Sequence, residues 1–65
     1  MVAYSDWVSV CRSEADRQGA DMNDFETNSM VVEVAGAVWR DRKDEIESAN
    51  RSRAKEIARD EISVS

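Results

Sequence analysis

The sequence predicts an all-α, single-domain protein of three helices, and three observations support this prediction. The chain has 65 residues, which is enough for one small hydrophobic core. Apolar residues recur at helical spacing in three separate segments. Proline is absent, so the helix ends must be located from capping residues and glycine. Because one core in a chain below about 70 to 80 residues rarely supplies more than ~3–5 kcal/mol, we expect marginal stability.

The first helix is predicted over about residues 6–18. Ser5 is a suitable N-cap, and Asp6 in the first turn interacts favourably with the positive end of the helix dipole. Gly19 is the predicted stop. One apolar stripe follows the helical repeat, and it contains Trp7, Val10, Cys11 and Ala15.

The second helix is predicted over about residues 28–42, after a loop rich in turn-forming residues at 20–28. Its apolar positions keep helical spacing and are Met30, Val31, Val34, Ala35, Val38 and Trp39. Several of them are valines, which lower intrinsic helix propensity, so packing against the other helices must stabilise this one.

The third helix is predicted over about residues 50–62, with Ser48 or Asn50 as its N-cap. Its apolar stripe contains Ala54, Ile57, Ala58 and Ile62. The preceding stretch is highly charged and could be either a turn or a continuation of the second helix. We favour a break near residues 43–50.

Composition excludes several classes of function. The chain has no His and one Cys, so it cannot form a Ser-His-Asp site, a zinc finger or an internal disulfide. Adjacent acids such as Asp44 and Glu45 lie in a polar stretch with no apolar pocket to raise a carboxyl pKa. We therefore predict no enzymatic activity, cofactor or metal site. No secretory signal or membrane-spanning stretch is visible, which predicts an intracellular protein without membrane association.

Charge divides the chain into two halves. The net charge is −5, and residues 1–38 contain seven acidic and two basic residues, whereas residues 39–65 contain seven of each. The first half is therefore acidic, and the second half has a mixed-charge surface.

Three patches resemble the HMG box, a three-helix, L-shaped module of chromatin proteins. The first is residues 3–14, with Tyr4 and Trp7 separated by two residues and followed by a polar face. The second patch consists of Val31, Ala35, Gly36 and Trp39, and the third is the pair Ala54 and Lys55 in the family's long third helix. The resemblance implies that Tyr4, Trp7 and Trp39 form an aromatic core at the elbow between helices, together with Val31, Ala35 and Ala54.

The same resemblance implies weak architectural binding of DNA without sequence specificity, in the nucleus or nucleoid. Phe25 would be the wedge between base pairs, and the phosphate contacts would be Arg12, Arg40, Lys43, Arg51 and Lys55. The chain departs from the family because it lacks a basic N-terminal arm and a proline before helix one. Acids also flank the wedge position, and the net charge of −5 opposes binding to phosphate.

A second hypothesis requires no nucleic acid. The acidic first half and the Val/Ala-rich helix faces are typical of a small helical interaction module, such as an adaptor, an assembly component or a virion component. Self-association is a further possibility for so small a core. The basic residues would then be an ordinary solvated face with interleaved ion pairs.

Overall fold

The structure is a computed structural model that describes residues 2–62. It confirms the all-α, three-helix fold, and the described residues contain no β-strand. The helices are α1 (Tyr4–Arg17), α2 (Phe25–Ser48) and α3 (Arg51–Glu61). Within residues 2–62, none of these helices combines the length and the apolar character that crossing a bilayer requires.

Helix α1 ends as predicted but begins differently. Its N-cap is Ala3, which offers no side-chain hydrogen bond, so the prediction of a Ser5 cap is wrong. At the other end, Gly19 adopts a φ of 99°, and its amide donates to the Asp16 carbonyl at 3.0 Å. The Ala20 amide donates to the Ala15 carbonyl, also at 3.0 Å. These two bonds form a Schellman motif, which explains why a glycine ends the helix.

Helix α2 is longer than predicted at both ends. It begins at Phe25 because the Asp24 carboxylate accepts a hydrogen bond from the Thr27 amide at 3.0 Å and caps the first turn. The backbone leaves helical geometry at Arg42, with φ −124° and ψ 29°, and the helix then continues to Ser48. The interruption expected near residues 43–50 is therefore a kink at Arg42 followed by a short connection at residues 49–50.

Helix α3 has the cap that the sequence offers. The Asn50 side chain accepts a hydrogen bond from the Arg53 amide at 2.8 Å. At 11 residues, α3 is the shortest of the three helices, whereas α2 is the longest at 24. The long third helix that the HMG-box resemblance implies is thus not present in the described residues.

The core forms where α1 packs between α2 and α3. Trp7 is fully buried, and its indole Nε1 donates to the Ala35 carbonyl of α2 at 2.9 Å. The predicted core positions Val31, Ala35 and Ala54 are also buried. The other large side chains that are completely enclosed are Cys11, Ile46 and Ile57.

The predicted aromatic core needs correction, because only one of its three rings lies inside. Tyr4 is 45% exposed, and Trp39 is only partly buried against the core. These two rings pack edge to face, with centroids 5.3 Å apart and planes at 71°. Tyr4 is the first residue of α1, so its ring covers the edge of α2 near Gly36 instead of entering the core. Of these three rings, only the Trp7 indole is fully buried, and its hydrogen bond joins α1 to α2.

Candidate nucleic-acid interface

A groove with both polar and apolar lining runs between α1 and α3 and has a volume of about 370 Å³. Its lining from α3 is Arg51 and Lys55, and its lining from α1 consists of Ser9, Val10, Ser13, Glu14 and Arg17. The groove continues past Lys55 to a second depression lined by Arg17, Ser52 and Arg59, among others. On each helix the lining residues recur every four positions, which places them in a row along one face. We call Arg51, Lys55 and Arg59 the basic row.

The basic row is not neutralised by ion pairs. All three side chains belong to exposed residues, and the ion pairs found within residues 2–62 involve other arginines. Arg53, on the opposite flank of α3, pairs with Glu45 at 3.1 Å. The three cations of the basic row form no ion pair and are available to a ligand, but Glu14 and Glu56 also line the groove, and Arg59 lies close enough to Glu14 to help lower its pKa.

Glu14 neutralises the remaining cation of the groove. Its carboxylate, only 10% exposed, accepts from the Arg17 guanidinium at 2.6 Å, and this hydrogen bond lowers the pKa of Glu14. The Gln18 side chain also donates to Glu14, at 3.4 Å, and to the Ile62 carbonyl at 2.6 Å. Glu14 therefore stays ionised near neutral pH and holds Arg17 at the wall of the groove.

The five phosphate contacts predicted from the sequence do not form one surface. Arg51 and Lys55 lie together in the groove. Arg40 and Lys43 lie at the kink of α2, in a shallow depression that three acids share with them, namely Asp41, Asp44 and Glu45. Arg12 is exposed on α1 but does not line the groove. The structure therefore divides the predicted contacts among three places.

The five contacts selected from the sequence leave out part of the groove lining. Arg59 is four residues after Lys55, so the spacing that joins Arg51 to Lys55 could have identified it. Ser9 and Ser13 gave no such signal, because nothing in the sequence indicates which face of α1 lies beside α3.

The predicted wedge, Phe25, is 82% exposed at the first residue of α2. Its neighbours in the chain are Asp24 and Glu26, both exposed. The Thr27 side chain and backbone donate hydrogen bonds to the Asp24 carboxylate, which lowers its pKa and keeps it charged. Insertion of Phe25 into a duplex would therefore bring negative charge close to the phosphates.

The single thiol has no nucleophilic character. Cys11 is fully buried, and desolvation raises the pKa of its thiol to about 12. Within residues 2–62, no group of three or more acidic or cysteine side chains lies close enough together to hold a metal ion.

The chain matches no protein-family model, no curated protein and no solved structure.

Proposed function

We propose that this protein is a non-enzymatic module that binds the phosphate backbone of nucleic acid through the groove between α1 and α3. The observation that carries the proposal is the basic row, three exposed cations one helical turn apart and free of ion pairs within residues 2–62. Successive members are about 6 Å apart along the helix axis. The hydroxyls of Ser9 and Ser13 on the opposite wall are additional donors to phosphate oxygens.

Binding of this kind is weak and sensitive to salt. The net charge of −5 repels a polyanion at long range, so affinity depends on the local charge of the groove. Three phosphate contacts predict a slope of about −2.7 for log K against log salt, which is a loss of about 40-fold between about 50 and 200 mM salt. The proposed contacts are to phosphates, which carry no sequence information, so we propose no sequence specificity.

Duplex DNA is the proposed polymer because of the resemblance to the HMG box, and this would place the protein in the nucleus or nucleoid. The proposal departs from that family in one respect. It assigns the affinity to the groove and gives no role to insertion of Phe25, since Asp24 and Glu26 oppose the approach of that ring to phosphates.

Two lysines test the proposal as a matched pair. Lys55 lies in the groove and Lys43 at the α2 kink, and both are exposed. Binding to a fluorescently labelled duplex is measured by anisotropy from about 50 to 200 mM salt. We expect Lys55→Gln to weaken binding severalfold and to reduce the salt slope by about 1. We expect Lys43→Gln to leave both quantities unchanged.

Two results would contradict the proposal. Equal losses in the two variants would mean that the groove has no special role. No binding by the unmodified protein at micromolar concentration and about 50 mM salt would exclude nucleic acid as the ligand.

A further inference from the structure

Helix α2 is apolar on two faces, and the other helices cover only one of them. Val31, Ala35 and Val38 are buried in the core. A second set, at spacings of four and three residues, faces outward, with Met30 64% exposed, Val34 41% exposed and Ala37 exposed. Residues at this spacing form a continuous strip along a helix. We call Met30, Val34 and Ala37 the outer stripe.

The outer stripe lies in the most acidic part of the chain. No Lys or Arg occurs between Arg17 and Arg40, whereas that segment contains Asp21, Asp24, Glu26 and Glu33. Glu26 precedes Met30 by four residues, and Glu33 precedes Ala37 by four, so both acids border the stripe. Both are exposed, and neither takes part in an ion pair found within residues 2–62.

We propose that the outer stripe docks a cationic amphipathic helix of a partner protein. The apolar side of that helix would pack on Met30, Val34 and Ala37, and its Lys or Arg residues would face Glu26 and Glu33. An exposed apolar strip bordered by charge is typical of a protein–protein contact, and the complementary sign specifies the partner's chemistry.

The charge on this surface disfavours the other occupants. Two copies of the chain meeting through the stripe would bring Glu26 and Glu33 against the same acids of the partner copy, because a two-fold contact pairs identical surfaces. Nucleic acid and anionic lipid surfaces are repelled by the same acids. Three side chains of modest size also offer too little area for a permanent dimer, so the contact would be a transient one.

The test uses two synthetic helical peptides that differ only in charge. Both have leucines at a spacing of four and three residues, and their margins contain Lys in one peptide and Glu in the other. Titration calorimetry with the full chain measures each affinity. We expect binding of the Lys peptide, and an affinity for the Glu peptide at least about tenfold lower.

Variants of the chain locate the contact. Val34→Ser should weaken binding of the Lys peptide at least about fivefold, since it removes an apolar contact at the centre of the stripe. Phe25→Ser is the matched control, because Phe25 is also exposed and apolar but lies about 140° around α2 from Met30. The double substitution Glu26→Lys and Glu33→Lys should reverse the preference toward the Glu peptide. Circular dichroism confirms that each variant is folded.

Three outcomes would overturn the inference. The first is equal binding of the two peptides, and the second is an equal loss in Phe25→Ser and Val34→Ser. The third is self-association of the free protein that Val34→Ser abolishes, without binding of the Lys peptide. That result would identify a second copy as the occupant. None of these measurements depends on the groove between α1 and α3, so the proposed function can fail independently.

Discussion

The two tryptophans allow the packing of the core to be tested by a single pair of substitutions. Trp7 is completely buried and donates a hydrogen bond to the Ala35 carbonyl, whereas Trp39 is only partly buried beside Tyr4. Phenylalanine keeps most of the apolar ring but removes the indole N–H. We therefore expect Trp7→Phe to be much more destabilising than Trp39→Phe.

The structure gives the approximate size of the difference. Removal of the Trp7 N–H takes one hydrogen bond from the Ala35 carbonyl, which still accepts a bond within α2, so the loss costs about 0.5–1.5 kcal/mol. The void left by the smaller ring adds about 1 kcal/mol. The free energy of unfolding should thus fall by about 1.5–2.5 kcal/mol, which is about half of the ~3–5 kcal/mol expected for so small a core. At the half-buried Trp39 the same change should cost about 1 kcal/mol or less.

Urea unfolding followed by far-UV circular dichroism measures both free energies. Fluorescence provides an independent check, because each variant retains a single tryptophan. Trp7 in the Trp39→Phe variant should resist quenching by acrylamide, and Trp39 in the Trp7→Phe variant should be quenched readily. Equal destabilisation by the two substitutions, or a larger effect at Trp39, would refute the assignment of Trp7 as the central contact.

Three further predictions concern helix ends, glycines and pH. Asn50→Ala should lower the free energy of unfolding by about 1 kcal/mol, because it removes the α3 cap. Ser5→Ala should change this free energy by less than about 0.5 kcal/mol, because Ser5 is not the cap of α1. Urea unfolding of both variants measures the two effects. Gly19→Ala should be destabilising by about 1 kcal/mol, because the φ of Gly19 is 99° and an L side chain is strained there. Gly36→Ala should instead raise the melting temperature, since alanine has the higher helix propensity. The Tyr4 hydroxyl lies 3.3 Å from the added Cβ, but this side chain is partly exposed and can move. A lower melting temperature for Gly36→Ala would show that the hydroxyl is fixed. The pKa of Glu14 is lower in the folded protein than its ordinary value of 4.5, so its ion pair stabilises the fold above that pH and is lost as pH falls through the folded-state pKa. Glu14→Gln should therefore lower the urea midpoint at pH 7 but not at strongly acidic pH, and an equal difference at both would contradict the ion pair.

The sequence predicts helices well where local chemistry determines their ends. Asn50 at the start of α3 and Gly19 after α1 are examples, because an Asx cap and a left-handed glycine act within a few residues. The predicted start of α2 is about three residues late, because Asp24 lies among turn-forming residues although it caps the helix. Turn formers and helix caps are the same residue types, so the pattern alone did not separate the two roles.

The stretch after Trp39 shows what local pattern could not predict. Ile46 is its single large apolar residue, which suggested a turn, yet the side chain is fully buried. The kink at Arg42 redirects the end of α2, and the Arg42 guanidinium then bonds Glu45 at 2.8 Å and Glu61 of α3 at 2.9 Å. These contacts join residues up to 19 positions apart, and a helical repeat carries no information about them.

The same ion pairs explain how a protein with a net charge of −5 can have surfaces of opposite sign. Arg42 and Arg53 are bound to Glu45, so these cations are withdrawn from any external ligand. The basic row lies on another flank of α3, and none of its cations takes part in an ion pair found in the described residues. The segment between Arg17 and Arg40, in contrast, contains acidic residues and no Lys or Arg. Electrostatic attraction at contact distance depends on charges within about one Debye length, which is about 8–10 Å near physiological salt. A polyanion in the groove and a cationic helix on the outer stripe would therefore each be attracted by local charge, although the whole chain attracts only the second.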